Sequence, residues 1–272
     1  MITDWDSAYD NAGHIEGGAA YPERWRARAA SFRESLPEAR CRRALAYGEG
    51  PREALDLFLP EGAPRGLFVF VHGGYWRSME RGLWSHLAAG ALARGWAVAV
   101  PGYALCPQVR ISAITGQIAR AVDLAAALVP GPIRLAGHSA GGHLVTRMGC
   151  ADVPLKAAER LERIVSISGL HDLRPLMRTS MNADLRLDLA EARAESPALA
   201  EARAGFGLLC WVGARERPEF LRQNALLANI WRGCGLETRA VEAEGRHHFD
   251  VIDDLCDPES ALCAAALGEL RP

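Results

Sequence analysis

Short apolar runs recur along the chain, each followed by a stretch of helical character, and few folds accept that order. The runs are Gly66–Val71 (GLFVFV), Trp96–Val100 (WAVAV), Ile133–Ala136 (IRLA), Arg163–Ile167 (RIVSI), Leu208–Val212 (LLCWV) and Thr238–Glu242 (TRAVE). Most show no alternation of polar and apolar residues, as strands covered on both faces require. Helical stretches are expected at Trp84–Arg94, Ile111–Leu128, Gly142–Cys150, Phe220–Arg232 and Pro258–Glu269. The alternation predicts an α/β fold, a mostly parallel doubly wound sheet with helices on both faces. Two more polar strands are expected ahead of it, near Arg42–Tyr47 and Glu53–Leu59.

Two segments fall outside the pattern. Residues 1–40 are rich in charge and carry Trp5, Tyr9, Tyr21, Trp25 and Phe32, and an N-terminal helical extension is expected there. Residues 172–204 are polar and helix-prone. They read either as a surface helix pair or as a small cap over a pocket at the C-terminal edge of the sheet. One domain over residues 1–272 is the expected organisation, since that length suffices for a single large core.

Composition narrows the function classes. With 49% hydrophobic and 24% charged residues, wholesale disorder is excluded. A formal net charge of −2 removes the electrostatic case for nucleic acid or an anionic membrane as main partner. No uninterrupted apolar run has the length of a membrane span, and the first residues lack the basic start and apolar stretch of a signal peptide. Seven cysteines, an odd number without a C-x-x-C pair, suit thiols of a reducing cytosol better than a disulfide frame or zinc site, so a cytoplasmic location is expected.

The chemistry concentrates in a few places. Gly137-His138-Ser139-Ala140-Gly141 fits G-x-S-x-G and lies between a strand and a helix start. A serine on so tight a turn is lifted clear of the sheet with a helix N-terminus behind it, which favours developing negative charge. Serine needs a base beside it. His247 or His248 could serve, on a loop after the last strand, where the chain order Ser…acid…His places one. The base needs a carboxylate to fix its tautomer, and Glu216, in the Ala214-Arg215-Glu216 stretch that follows LLCWVG, is the candidate, with Glu219 and Asp172 as rivals. His72-Gly73-Gly74-Tyr75-Trp76 follows GLFVFV, and its two glycines let backbone N–H groups turn toward a reacting carbonyl. No H-E-x-x-H or phosphate-loop motif is present, so neither metal nor nucleotide is expected.

The ordered set HGGYW, GHSAGG, an acid after the next-to-last strand and a late histidine resembles the α/β-hydrolase superfamily. The HGGYW form is similar to its arylformamidase (kynurenine formamidase) branch and the bacterial esterases close to it. SGLHDLRPL, GARERPEFLRQN and HHFDVIDDL support the likeness, which covers roughly residues 45–260. By position, the resemblance implies Ser139 as nucleophile, His248 as base and the N–H groups of Gly74, Tyr75 and Ala140 as oxyanion donors. It also implies Tyr75 and Trp76 beside the acyl pocket, and no cofactor. The family pattern usually has Asp where this chain has Glu216, whose extra methylene demands a longer reach or a shifted loop. The expected activity is serine hydrolysis of a small formyl or acetyl amide or ester. The alternatives are a short-chain carboxylesterase and a non-catalytic hydrolase-fold binding protein. The expected partner is a small-molecule substrate, with a homodimer left open.

Overall fold

A computed structural model describes residues 2–268. Eight strands form one sheet: β1 (Cys41–Ala46), β2 (Ala54–Phe58), β3 (Leu67–Val71), β4 (Ala97–Pro101), β5 (Ile133–His138), β6 (Leu161–Ile167), β7 (Gly207–Gly213) and β8 (Thr238–Ala243). Their spatial order is β1-β2-β4-β3-β5-β6-β7-β8. β1 and β2 pair antiparallel and β2 runs antiparallel to β4, while every pair from β4 to β8 is parallel. The two flanking strands β1 and β8 are largely exposed, whereas β2, β3, β4 and β7 are buried throughout.

The two-residue period of a strand divides the core in two. Leu67, Val69 and Val71 of β3 join one apolar cluster with Leu135, Ile164 and the buried faces of α4 (Ile111–Leu128), α5 (Ala140–Met148) and α8 (Pro218–Gly233). Phe68 and Phe70 point the other way, into a cluster with Val98, Val165, Trp211 and residues of α3 (Ala89–Ala93) and α9 (Ala261–Ala266). α4 is long and apolar enough to cross a membrane by composition. Its Ile111, Ile114, Ile118, Val122 and Ala125, at helical spacing, are instead buried in the protein.

The stretch Trp84–Arg94 is not one helix. A 3₁₀ turn at Arg81–Leu83 precedes it, Ser85–Ala88 is again 3₁₀, and α-helix appears only in α3. α5 starts at Ala140, two residues earlier than its glycines suggest, because the turn at Ser139 feeds straight into it. α9 begins after Ser260, whose hydroxyl accepts from the Cys263 N–H. The end of the expected helix, Glu269, lies outside the described residues. The seven cysteines are free thiols.

The N-terminal residues form α1 (Trp5–Tyr9) and α2 (Tyr21–Ser35), with 3₁₀ turns between them. The 172–204 stretch folds as 3₁₀ turns at Arg174–Arg178 and Pro197–Leu199 around α6 (Asn182–Leu185) and α7 (Leu189–Ala194). The two segments meet above the C-terminal edge of the sheet. Asp6 Oδ1 accepts from the Ser180 N–H at 2.6 Å, and the Arg178 guanidinium lies over the Trp5 ring.

Candidate active site

β5 ends at His138, and the next residue, Ser139, has φ +56° and ψ −117°. A non-glycine residue held there costs about 1–3 kcal/mol, which its surroundings must supply. Those surroundings explain the glycines. A Cβ on Gly137 would stand 2.1 Å from the Gly141 carbonyl oxygen, and one on Gly141 would stand 2.0 Å from that of Val71. The Ser139 N–H donates to the Ile167 carbonyl at 2.8 Å and fixes the turn to β6. Ser139 lines a cleft of about 620 Å³.

His248, on the loop after β8, lines the same cleft. Its Nδ1–H donates to Glu216 Oε2 at 2.6 Å, which leaves Nε2 as the nitrogen for a reacting group. Glu216 stands in the turn after β7 with its side chain fully buried. The other oxygen, Oε1, accepts from Ser168 Oγ at 2.5 Å and from the Gly213 N–H at 2.8 Å. The histidine loop and the acid turn are stitched by backbone bonds, Ala214 N–H to Ala243 O and Arg215 N–H to Arg246 O. Glycine is required at 213 for this approach, since a Cβ there would meet the Arg246 carbonyl oxygen at 2.5 Å. His138 Nε2–H donates to the His248 carbonyl at 2.8 Å, and the two rings lie 4.6 Å apart. Burial holds the His138 ring well below its ordinary pKa, so it stays neutral beside His248.

Gly73 passes so close that a Cβ on it would lie 2.9 Å from Ser139 Cβ. Gly74, Tyr75 and Trp76 then take three successive positive φ values, +110°, +49° and +56°. Among the described residues, the N–H groups of Gly74, Tyr75 and Ala140 have no protein acceptor. The Tyr75 hydroxyl donates to the Tyr9 carbonyl at 2.6 Å, tying this loop to α1. Tyr75 lines the cleft.

Trp76 does not line it, which corrects the expectation for this residue. The left-handed turn sends its side chain inward, where it is fully buried with its ring edge-on to His143 at 5.0 Å. The aromatic wall comes instead from Trp25 of α2, Trp84 and Phe249, joined by Met79. Asp4, Asp6, Asp10 and Asn11 supply polar lining, and Ser180 and Met181 are the cleft residues of the 172–204 segment. Of the rival acids, Asp172 is engaged by Arg174 at 2.9 Å, and Glu219 accepts from the Tyr9 hydroxyl at 2.8 Å; neither borders the cleft. His247 bonds the Tyr21 hydroxyl rather than a carboxylate in the cleft. Among the described residues, no group of three or more His, Cys, Asp or Glu could hold a metal ion.

Comparison with known proteins decides the family. Residues 68–266 match the profile of the alpha/beta hydrolase family. The chain belongs to that family. It is 31% identical over 234 residues to the kynurenine formamidase of Drosophila melanogaster, covering 79% of this chain and 77% of that protein. The kynurenine formamidase of Danio rerio is 26% identical over 227 residues, with the same coverage. A crystal structure from Silicibacter sp. TM1040, described as a candidate thioesterase, superposes with a TM-score of 0.93 at 52% identity over 98% of this chain and 100% of that one. A Pyrobaculum calidifontis esterase shares the fold at 17% identity, with a TM-score of 0.71 over 97% and 96% of the two chains. The relatives support a hydrolase of this family.

Sequence reasoning missed Ser168, Gly213, Trp25 and the wall formed by α1. Gly213 carries a signal, a glycine closing a strand just ahead of the candidate acid. Trp25 carries none, because its partners Trp84 and Phe249 are remote in the chain.

Proposed function

We propose that the chain is a serine hydrolase that transfers a small acyl group, formyl or acetyl, from an aryl amide or ester to water through an acyl-enzyme. The observation that carries this reading is the convergence on one cleft of the strained Ser139 and of His248, with Glu216 bonded behind the ring at 2.6 Å. Ser139 Oγ attacks the acyl carbonyl and its proton passes to His248 Nε2. Glu216 stabilises the imidazolium that forms and holds its tautomer. The N–H groups of Gly74, Tyr75 and Ala140 receive the oxyanion, each donor worth about 10²–10³ in rate. Collapse of the tetrahedral intermediate breaks the acyl–leaving-group bond, and His248 returns its proton to the departing amine or alcohol. Water, deprotonated by the same histidine, then releases the acid and restores the serine.

The names of the relatives and the aromatic wall of Trp25, Trp84 and Phe249 favour an aromatic leaving group with a small acyl. Ring stacking there adds about 0.5–1.5 kcal/mol beyond burial. The alternative is a short-chain carboxylesterase, and the candidate thioesterase at 52% identity adds a thioester to the substrates worth comparing. The test compares kcat/KM for N-formylkynurenine, p-nitrophenyl esters of rising chain length and an acetyl thioester. Formyl and acetyl substrates should lead, with a steep fall beyond butyrate. Preference for octanoate or longer overturns the small-acyl reading, and short esters cleaved without formamide hydrolysis leave the carboxylesterase.

A further inference from the structure

Ser168 is the first residue after β6, as Ser139 is the first after β5, and it too has a positive φ, +53°. The two serines sit at the ends of neighbouring parallel strands but do opposite things. Ser139 lines the cleft, whereas Ser168 is fully buried and turns its hydroxyl into Glu216 Oε1 at 2.5 Å. Its own N–H donates to the Trp211 carbonyl at 2.7 Å, so the strained backbone is anchored to β7, the strand that carries the acid turn. We propose that Ser168 is a positioning residue for the reaction: it aims the carboxylate of Glu216 at His248. This rests on the Ser139–His248–Glu216 reading above and deepens it.

The geometry gives each oxygen one duty. Oε1 is occupied by Ser168 and the Gly213 N–H, so only Oε2 faces His248 Nδ1. A glutamate has one more rotatable bond than an aspartate, and a fixed partner on the neighbouring strand removes that freedom. A hydrogen bond to a charged group in a buried site is worth about 1.5–3 kcal/mol, and losing it corresponds to about a 10- to 150-fold change. The donor also sets the proton balance. It stabilises the state in which the acid–histidine couple is unprotonated and carries net negative charge, so its loss lets the couple take up a proton at higher pH, whichever partner holds it.

Two of the groups packed around the couple are held out of that range by their burial. Burial holds the His138 ring well below its ordinary value, and burial together with Tyr9 and Glu216 raises the Tyr75 phenol well above its own. From α8 the contact is the apolar Phe220 ring, 4.5 Å from His248. Arg217 is directed to the Ser7 hydroxyl, and Asp250 accepts from the His247 N–H.

The experiment measures kcat/KM against pH for wild type, Ser168→Ala, Ser168→Gly and Ser139→Ala, with thermal midpoints alongside. Ser168→Gly removes the hydroxyl while glycine accepts the positive φ without strain, so it keeps the fold even if the alanine variant does not. Both Ser168 variants should lose about ten- to a hundredfold in kcat with KM little changed, and the acid limb of the profile should move up by about one pH unit. An acid limb unmoved in Ser168→Gly, whatever the loss in rate, overturns the positioning role. Full activity in Ser139→Ala overturns instead the reading on which it rests.

Discussion

A carboxylate helps a histidine only if its orientation is fixed, and Glu216 meets that condition with three donors from three places in the chain: Ser168, Gly213 and His248. On the proposed reading, that is how a glutamate serves where the resemblance implies an aspartate. Glu216→Gln should lower kcat by up to about 10⁴-fold in steady-state assays, because the amide no longer selects the productive tautomer. Asp172→Asn should keep most of the activity, since that carboxylate is held by Arg174 away from the cleft. Glu219→Gln should cost stability more than rate, about 1–3 kcal/mol by urea denaturation, as it loosens the bonds to Tyr9 and Arg222. Equal losses of rate in all three variants would remove Glu216 from its role. Gly137 and Gly141 were readable as chemistry because a Cβ at either would stand about 2 Å from a backbone carbonyl oxygen, and only one residue type fits. Trp76 was not, since which way an aromatic points from a glycine loop depends on φ values that the residue types leave open.

At the scale of elements, the strands were legible where an apolar run is bounded by glycine or proline, as GLFVFV is. α4 was legible because its isoleucines repeat at helical spacing. The cleft walls were not, because they join α1 and α2 to loops far along the chain. Trp25 of α2 lies 4.6 Å from Trp84 and 5.4 Å from Phe249, ring to ring, and closes the cleft beside His248. Trp25→Ala should therefore flatten the fall in kcat/KM along a p-nitrophenyl ester series from acetate to octanoate. Trp76→Ala should leave that slope unchanged while costing about 3–5 kcal/mol of stability, the range for deleting a buried aromatic. The opposite pairing of outcomes would return the acyl pocket to Trp76.

Across the whole molecule, burial sets a pH limit on stability. His72 and His171 are pushed down to about 4, His86 and His143 to about 3, and His138 is lowered as well, in each case by burial. Below about pH 6.5 the unfolded chain binds protons at these rings and the native state does not. Stability is therefore full above that value and falls as the pH drops toward 4, each histidine contributing up to about 1.4 kcal/mol per pH unit. The urea midpoint should hold from pH 7.5 to about 6.5 and decline from there to pH 5. A midpoint flat across that interval would mean that the rings are not held neutral.

The most direct test of the proposed chemistry is covalent labelling by a fluorophosphonate, located by mass spectrometry of the digested protein. One adduct should form per chain, on the peptide carrying Ser139. It should be absent in Ser139→Ala and slowed by orders of magnitude in His248→Ala, but nearly unaffected in His247→Ala. Labelling that persists in Ser139→Ala, or that maps to another serine, would contradict the assignment of Ser139 as the nucleophile.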